Sequence, residues 1–147
     1  MIDIRRASTL DAEIVRAIDR ASFHEPTVNL DAELGHAWSY LFLARFETEK
    51  NDGAFLLAWL VSDELHILSV ATRPEFRRRG LGRALLTYAI DFAKGRGART
   101  AILEVRPSNA AALELYAAFG FVTARVRPRS YADNDEDAIE MMLEFPA

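Results

Sequence analysis

Apolar positions along this chain change their period several times, and each change marks an element. Residues 2–7 alternate and predict a short strand. From Thr9, a residue type that caps helices, Leu10, Ile14, Ile18 and Ala21 recur at helical spacing, with Asp11 and Glu13 in the first turn. That helix is expected to run to about Phe23, followed by a loop around Pro26 and a weaker helix near 29–38. Residues 40–47 and 54–61 are apolar runs of strand length, with Asn51-Asp52-Gly53 as a hairpin turn between them. A further strand covers 65–71. Apolar residues at 81, 84, 85, 88, 89 and 92 then predict a helix over 81–94, ended by Gly95-Arg96-Gly97. A strand over 100–105, a helix over 108–118 and a strand over 120–126 follow. The last run alternates: Ile139, Met141, Leu143 and Phe145 face one way, Glu140 and Glu144 the other. The pattern predicts an α/β fold, a mixed sheet of six or seven strands with helices on both faces. No repeat, linker or low-complexity stretch divides the 147 residues, so one domain over 1–147 is expected.

Composition narrows the chemistry. Half the residues are apolar and 27% charged, as in soluble globular proteins. With no cysteine, disulfides, thiolate metal sites and a cysteine nucleophile are excluded. The three histidines, at 24, 36 and 66, lack zinc-like spacing, so no metal is expected. The longest apolar stretch, Ala54–Val61, is too short to span a bilayer, and the first six residues lead into no apolar signal region. A cytoplasmic protein with no membrane partner is expected. A net charge of −4 argues against nucleic acid as the main partner.

The chemistry-bearing residues sit in two clusters. Arg77-Arg78-Arg79-Gly80-Leu81-Gly82 lies between a strand and a helix. Glycines there leave backbone N–H groups open, and the helix N-terminus with its arginines favours an anion. The second cluster begins with Glu104, a carboxylate near the end of an otherwise apolar strand. Asn109 and Tyr116 follow, seven residues apart and so on one helical face. Taken singly, the arginine-glycine run is equally a solvated turn, and Glu104, Asn109 and Tyr116 read better as a surface glutamate, a helix cap and a core tyrosine; together, at these spacings, they do not.

Arg77-x-x-Gly80-x-Gly82, followed by Asn109 and Leu115-Tyr116-x-x-x-Gly120-Phe121, resembles the GCN5-related N-acetyltransferase (GNAT) family. More narrowly, Leu103-Glu104-Val105-Arg106-Pro107-Ser108-Asn109 and Glu136-Asp137-Ala138-Ile139-Glu140-Met141 are similar to its RimI-type subgroup, which acetylates the N-terminal alanine of ribosomal protein. The subgroup's aromatic-rich Pro-Trp segment after the first helix reads here Phe23-His24-Glu25-Pro26. The resemblance implies a GNAT fold, mostly antiparallel, and acetyl-coenzyme A as co-substrate. It implies that the backbone of Val70, Ala71 and Thr72 pairs with the pantetheine arm, one N–H polarising the thioester carbonyl. Arg78, Arg79, Gly80, Leu81, Gly82 and Arg83 would wrap the pyrophosphate, and Asn109 would bond the cofactor. Glu104 would be the general base, its pKa raised by an apolar strand, and Tyr116 the general acid.

The function these roles imply is acetyl transfer to a primary amine in a ternary complex, the acceptor being a protein N-terminal α-amine ahead of a small-molecule amine. Asp133-Asn134-Asp135-Glu136-Asp137 adds the expectation of a negative field that draws in peptides with basic residues behind the first, countered by Arg125, Arg127 and Arg129. Two other classes compete. One is a Rossmann-type nucleotide-binding module, opposed by Leu85 at the third glycine position and by the long 73–79 connection. The other is a cofactor-binding regulator without catalysis, opposed by the presence of both Glu104 and Tyr116.

Overall fold

The two long apolar runs fold into the middle of the sheet, because their side chains suit burial on both faces. A computed structural model describes residues 1–22, 29–131 and 134–146. Its elements are β1 (Ile2–Arg6), α1 (Ala12–Ser22), α2 (Leu30–Leu34), β2 (Ser39–Phe46), β3 (Ala54–Val61), β4 (Glu64–Thr72), α3 (Leu81–Gly95), β5 (Thr100–Val105), α4 (Ala110–Ala118), β6 (Val122–Arg127) and β7 (Ala138–Glu144). The seven strands form one sheet in the order β1-β2-β3-β4-β5-β7-β6. Every pairing is antiparallel except β4 with β5, which α3 connects as a crossover. A Rossmann-type module needs a run of parallel neighbours, whereas β5 has antiparallel β7 on its other side. That alternative is set aside.

On one face, Leu81, Leu85, Leu86, Ala89, Ile90 and Ala93 of α3 lie buried over Phe42, Leu56, Leu65, Ile67 and Leu103. On the other, Val15 and Ile18 of α1 cover Leu41, Leu43, Phe55, Leu57 and Ala71. Burying each such leucine stabilises the fold by about 1.5–3 kcal/mol. Among the described residues, no helix is long and apolar enough to cross a membrane.

Several expectations shift by a residue or a face. Ser8, not Thr9, caps the first helix: its Oγ accepts from the Leu10 N–H at 3.3 Å, and Asp11 Oδ2 accepts from the Ser8 N–H at 2.8 Å. A 3₁₀ turn at Thr9–Asp11 then carries Leu10 out to 93% exposure, so the buried stripe starts at Val15. The apolar stripe of α3 is rotated: Leu86, Ile90 and Ala93 are buried, while Tyr88 is exposed and meets Phe42 edge-on at 5.0 Å. The second helix is short, and the loop expected around Pro26 lies outside the described residues.

The expected hairpin of β2 and β3 forms, and Asn51-Asp52-Gly53 lies in its connection, but the tight turn falls earlier, where the Glu49 N–H donates to the Phe46 carbonyl at 2.9 Å. Asp52 is buried and bonded by Arg5 at 2.7 Å, and Gly53 lies where a Cβ would come within 2.7 Å of Phe76 and 2.9 Å of Leu81. This glycine is needed for close approach, since its φ is not positive. It seats the first residue of α3 against the sheet.

Candidate active site

A wedge opens in the sheet between β4 and β5. The two strands pair only from Glu64↔Thr100 to Ile67↔Leu103, although β4 continues to Thr72 and β5 to Val105. The cause lies in β4 itself. Ile67 opposes Ala58 and Ser69 opposes Leu57, so Leu68 is an extra residue with no partner on β3. Such a bulge bends its strand and increases the local twist. The backbone edge of Val70–Thr72 that faces away from β3 is therefore left without a strand to pair with. The bulge shifts the parity of the strand: Leu65 and Ile67 pack on the α3 face, and beyond Leu68 it is Val70 that packs against that core, while Ala71 is buried on the other face.

A groove of about 1100 Å³ runs from this wedge along the α3 side of the sheet. Val70, Ala71, Thr72, Arg78, Gly80, Leu81, Gly82, Arg83, Asn109 and Tyr116, all expected from the sequence, line it together. One of its walls is backbone. Arg78 and Gly80 have φ of 61° and 94°, which turns the chain sharply into α3. None of the N–H groups from Arg78 to Arg83 has a protein acceptor among the described residues. A left-handed φ favours glycine at 80, and nothing lies within 4 Å of a Cβ placed there. Gly82 needs its missing side chain for another reason: a Cβ would touch only Leu115, at 3.7 Å, and larger groups would project into the groove.

The arginines divide their work. Arg78 and Arg83 stand in the groove wall, as does Arg77, whose Nε donates to the Thr72 carbonyl at 3.0 Å. Arg79 does not join them. Its guanidinium stacks 4.4 Å above the Phe46 ring and 5.6 Å from that of Phe76, so only its backbone is available to a phosphate. The Leu81 side chain is buried in the core, and it too offers only backbone. Ser22, unforeseen, also lines the groove and donates to the Thr72 carbonyl at 3.3 Å.

Asn109 caps α4, its Oδ1 accepting from the Ala112 N–H at 3.1 Å. That leaves the Nδ2 donors of Asn109 for the groove. Two turns on, Tyr116 is 8% exposed, its ring 5.7 Å from Phe121. Burial pushes its phenol up to about 12.

Glu104 lies elsewhere than expected. Leu103 and Val105 point into the core, so the two-residue period of β5 sends Glu104 to the opposite face. Its side chain keeps 39% of its surface exposed and contacts the Arg127 guanidinium. The apolar setting expected for this carboxylate is absent. It lines a second, shallower groove of about 530 Å³ with His66, Leu68, Arg125, Tyr131 and Glu140. Glu140 stands directly across from it on β7 and is held by Arg125 at 3.0 Å. Leu68, the bulged residue, and Leu103 bring this groove to the same wedge.

The acidic run after β6 is tied down at Glu136 and Asp137. Glu136 accepts from the Ser108 N–H at 3.0 Å and the Ser108 hydroxyl at 2.8 Å, and Asp137 accepts from the Arg129 N–H at 3.1 Å. The Asn134 amide and the Ser108 donors hold the Glu136 carboxyl below its usual range. These neutral donors fix the two side chains in place and leave their negative charges, with Arg106 compensating Glu136 at 3.7 Å. Asp133 lies outside the described residues. Arg106 completes the join, 3.9 Å above the Tyr131 ring. Among the described residues, no three histidine or carboxylate side chains gather as a metal ligand set.

Comparison with known proteins agrees with this geometry. The model of the Acetyltransferase (GNAT) family matches residues 13–121. Ribosomal protein bS18-alanine N-acetyltransferase of Escherichia coli (strain K12) is 47% identical over 92 residues, which are 61% of this chain and 62% of that protein. The chain thus aligns with under two thirds of that relative's length. The crystal structure of the Escherichia coli ribosomal-protein-S18-alanine N-acetyltransferase superposes with a TM-score of 0.90 at 34% identity, covering 100% of this chain and 96% of that one. Ard1 from Thermoplasma volcanium superposes at 0.84 with 26% identity, covering 99% of each chain. With a bulged and splayed strand pair, an open N–H loop at a helix start and a family model across most of its length, the chain belongs to the GNAT acetyltransferase family.

Proposed function

We propose that this protein transfers the acetyl group of acetyl-coenzyme A to the α-amine of a protein N-terminus. The observation that carries this reading is the wedge: two grooves on opposite faces of one sheet reach the same gap between β4 and β5. A donor entering from the α3 side and an amine entering from the β6–β7 side can then meet without sharing a groove. Likeness to the bS18-alanine enzymes favours a protein acceptor over a small amine.

The donor supplies a thioester, an acyl carbon with a thiolate leaving group. The N–H groups of Arg78 to Arg83 suit its pyrophosphate, and the unpaired edge of Val70–Thr72 suits an extended arm bearing amide groups. Arg78 and Arg83 add charge, and Asn109 one amide donor pair. An α-ammonium, with a reference pKa of about 8, must lose a proton before it can attack. In this reading Glu104 takes that proton, directly or through one water. The amine nitrogen then bonds to the acyl carbon, the C–S bond breaks, and the Tyr116 hydroxyl donates to the departing sulfur. Of the two protons the ammonium gives up, one ends on the thiol, with Tyr116 as intermediary, and one reaches solvent. A thiol titrates near about 8.5, so a phenol near 12 stabilises the thiolate chiefly as a hydrogen-bond donor.

The test is direct. Purified protein with acetyl-coenzyme A is offered peptides with different first residues alongside small amines, and thiol release is followed. Fastest turnover is expected on a peptide beginning with alanine. Faster turnover on a small amine, or none on any peptide, would overturn the assignment.

A further inference from the structure

The Glu104 carboxylate is already occupied by a cation that does not belong to the reaction. Arg127 stands on β6, two strands away, opposite Ala138 of β7. Its long side chain passes this small residue to contact Glu104 on β5. Directly across from Glu104 is a second carboxylate, Glu140. Like charges directly opposite on neighbouring strands repel, so this pair is tolerable only with compensation. Two arginines of β6 provide it, Arg125 for Glu140 and Arg127 for Glu104. The remaining titratable groups of the groove are His66 of β4, which is paired with Glu64 at 3.2 Å, and Tyr131 after β6.

An acceptor ammonium that binds Glu104 directly takes the place of this guanidinium. We infer that Arg127 is a positioning residue that couples acceptor entry to activation of the base, an inference that rests on the role proposed above for Glu104. While Arg127 is in place, its guanidinium compensates the Glu104 carboxylate. The ammonium that displaces it is also a cation, but one that can give up a proton; once the proton has passed, Glu104 is neutral and its repulsion from Glu140 across the strand pair is relieved. Arginine suits this function because it never deprotonates, so the hold on Glu104 does not relax with pH. Both partners are partly solvated, which keeps the pair weak enough to exchange.

The experiment separates charge competition from a structural role. Binding to the protein saturated with coenzyme A, which has no acetyl group to transfer, is measured by calorimetry between pH 5 and 8. Two probes are used: a hexapeptide beginning with alanine, and the same peptide with a propionyl group replacing that alanine, which removes only the amine. In Arg127→Met, preference for the amine-bearing peptide is expected to increase about 3- to 5-fold at pH 7. The pH below which that preference disappears should move upward, because Glu104 then protonates more readily beside Glu140. Arg127→Lys retains a cation and should behave as the wild type. Arg127→Gln should repeat the methionine result and serves if Arg127→Met does not fold. An unchanged preference with an unchanged pH midpoint would overturn the inference, as would equal loss of both peptides. Failure of the parent reading looks different: Glu104→Gln would then turn over at the wild-type rate.

Discussion

A phenol at about 12 keeps its proton at any pH the protein meets, so Tyr116 is always ready to donate. Its ring is also part of the core, beside Phe121, which makes the choice of substitution important. Tyr116→Phe retains the packing and removes only the hydroxyl. We expect kcat to fall about 10- to 10⁴-fold while the affinity for acetyl-coenzyme A stays nearly constant. Single-turnover kinetics with calorimetric Kd values check this; an unchanged kcat would make Tyr116 a core aromatic and nothing more. Tyr116 was legible in the sequence because helical spacing from Asn109 places both on one face. The setting of Glu104 was not, although the inward turn of Leu103 and Val105 already implied an outward Glu104. An apolar neighbourhood in sequence is a poor guide to burial in a strand, where adjacent residues face opposite sides.

Elements meet at two junctions whose perturbation has separable effects. At the turn into α3, Gly82 has space for a side chain within the protein, but that space is the groove. Gly82→Val should therefore fold normally, with an unchanged urea midpoint, and bind coenzyme A at least about tenfold more weakly. Undiminished affinity would remove this loop from the cofactor site. The second junction lies where β1, the entry to α1 and the loop before β3 converge on one guanidinium. Arg5 bonds Asp11 at 2.9 Å and Asp52 at 2.7 Å, both residues being buried. The Arg5 hydrogen bond holds the Asp11 carboxyl below its usual range. A depressed folded-state pKa contributes stability that is present above the unfolded value of about 3.9 and lost as pH falls through the folded one. Asp11→Asn should thus cost about 1–3 kcal/mol at pH 6, and its deficit should shrink below about pH 4. Urea unfolding across pH 2–6 tests this, and a deficit independent of pH would assign the loss to the cap alone.

At the scale of the molecule, the proposed reading gives donor and acceptor separate grooves, and the chain has no cysteine to carry an acyl group. Initial-velocity lines at varied acetyl-coenzyme A and peptide should intersect, as direct transfer in a ternary complex requires; parallel lines would mean a covalent acyl-enzyme instead. Much of this architecture was readable beforehand. Strand and helix identity follow from periodicity, which is local, and the glycine-bearing loop before α3 follows from residue types confined to a few consecutive positions. The family resemblance rested on such local motifs, and it named most of the residues that the structure gathers along the larger groove. What the tertiary structure alone decided is non-local. The bulge at Leu68 depends on how β4 registers against β3, and the wedge depends on where β4 and β5 part. Arg79 was drawn onto Phe46, distant in sequence, and Arg127 crossed a strand to reach Glu104. Side-chain type sets what a residue is able to do; which partner it meets is set by pairings between strands far apart in the chain, and no local pattern encodes those.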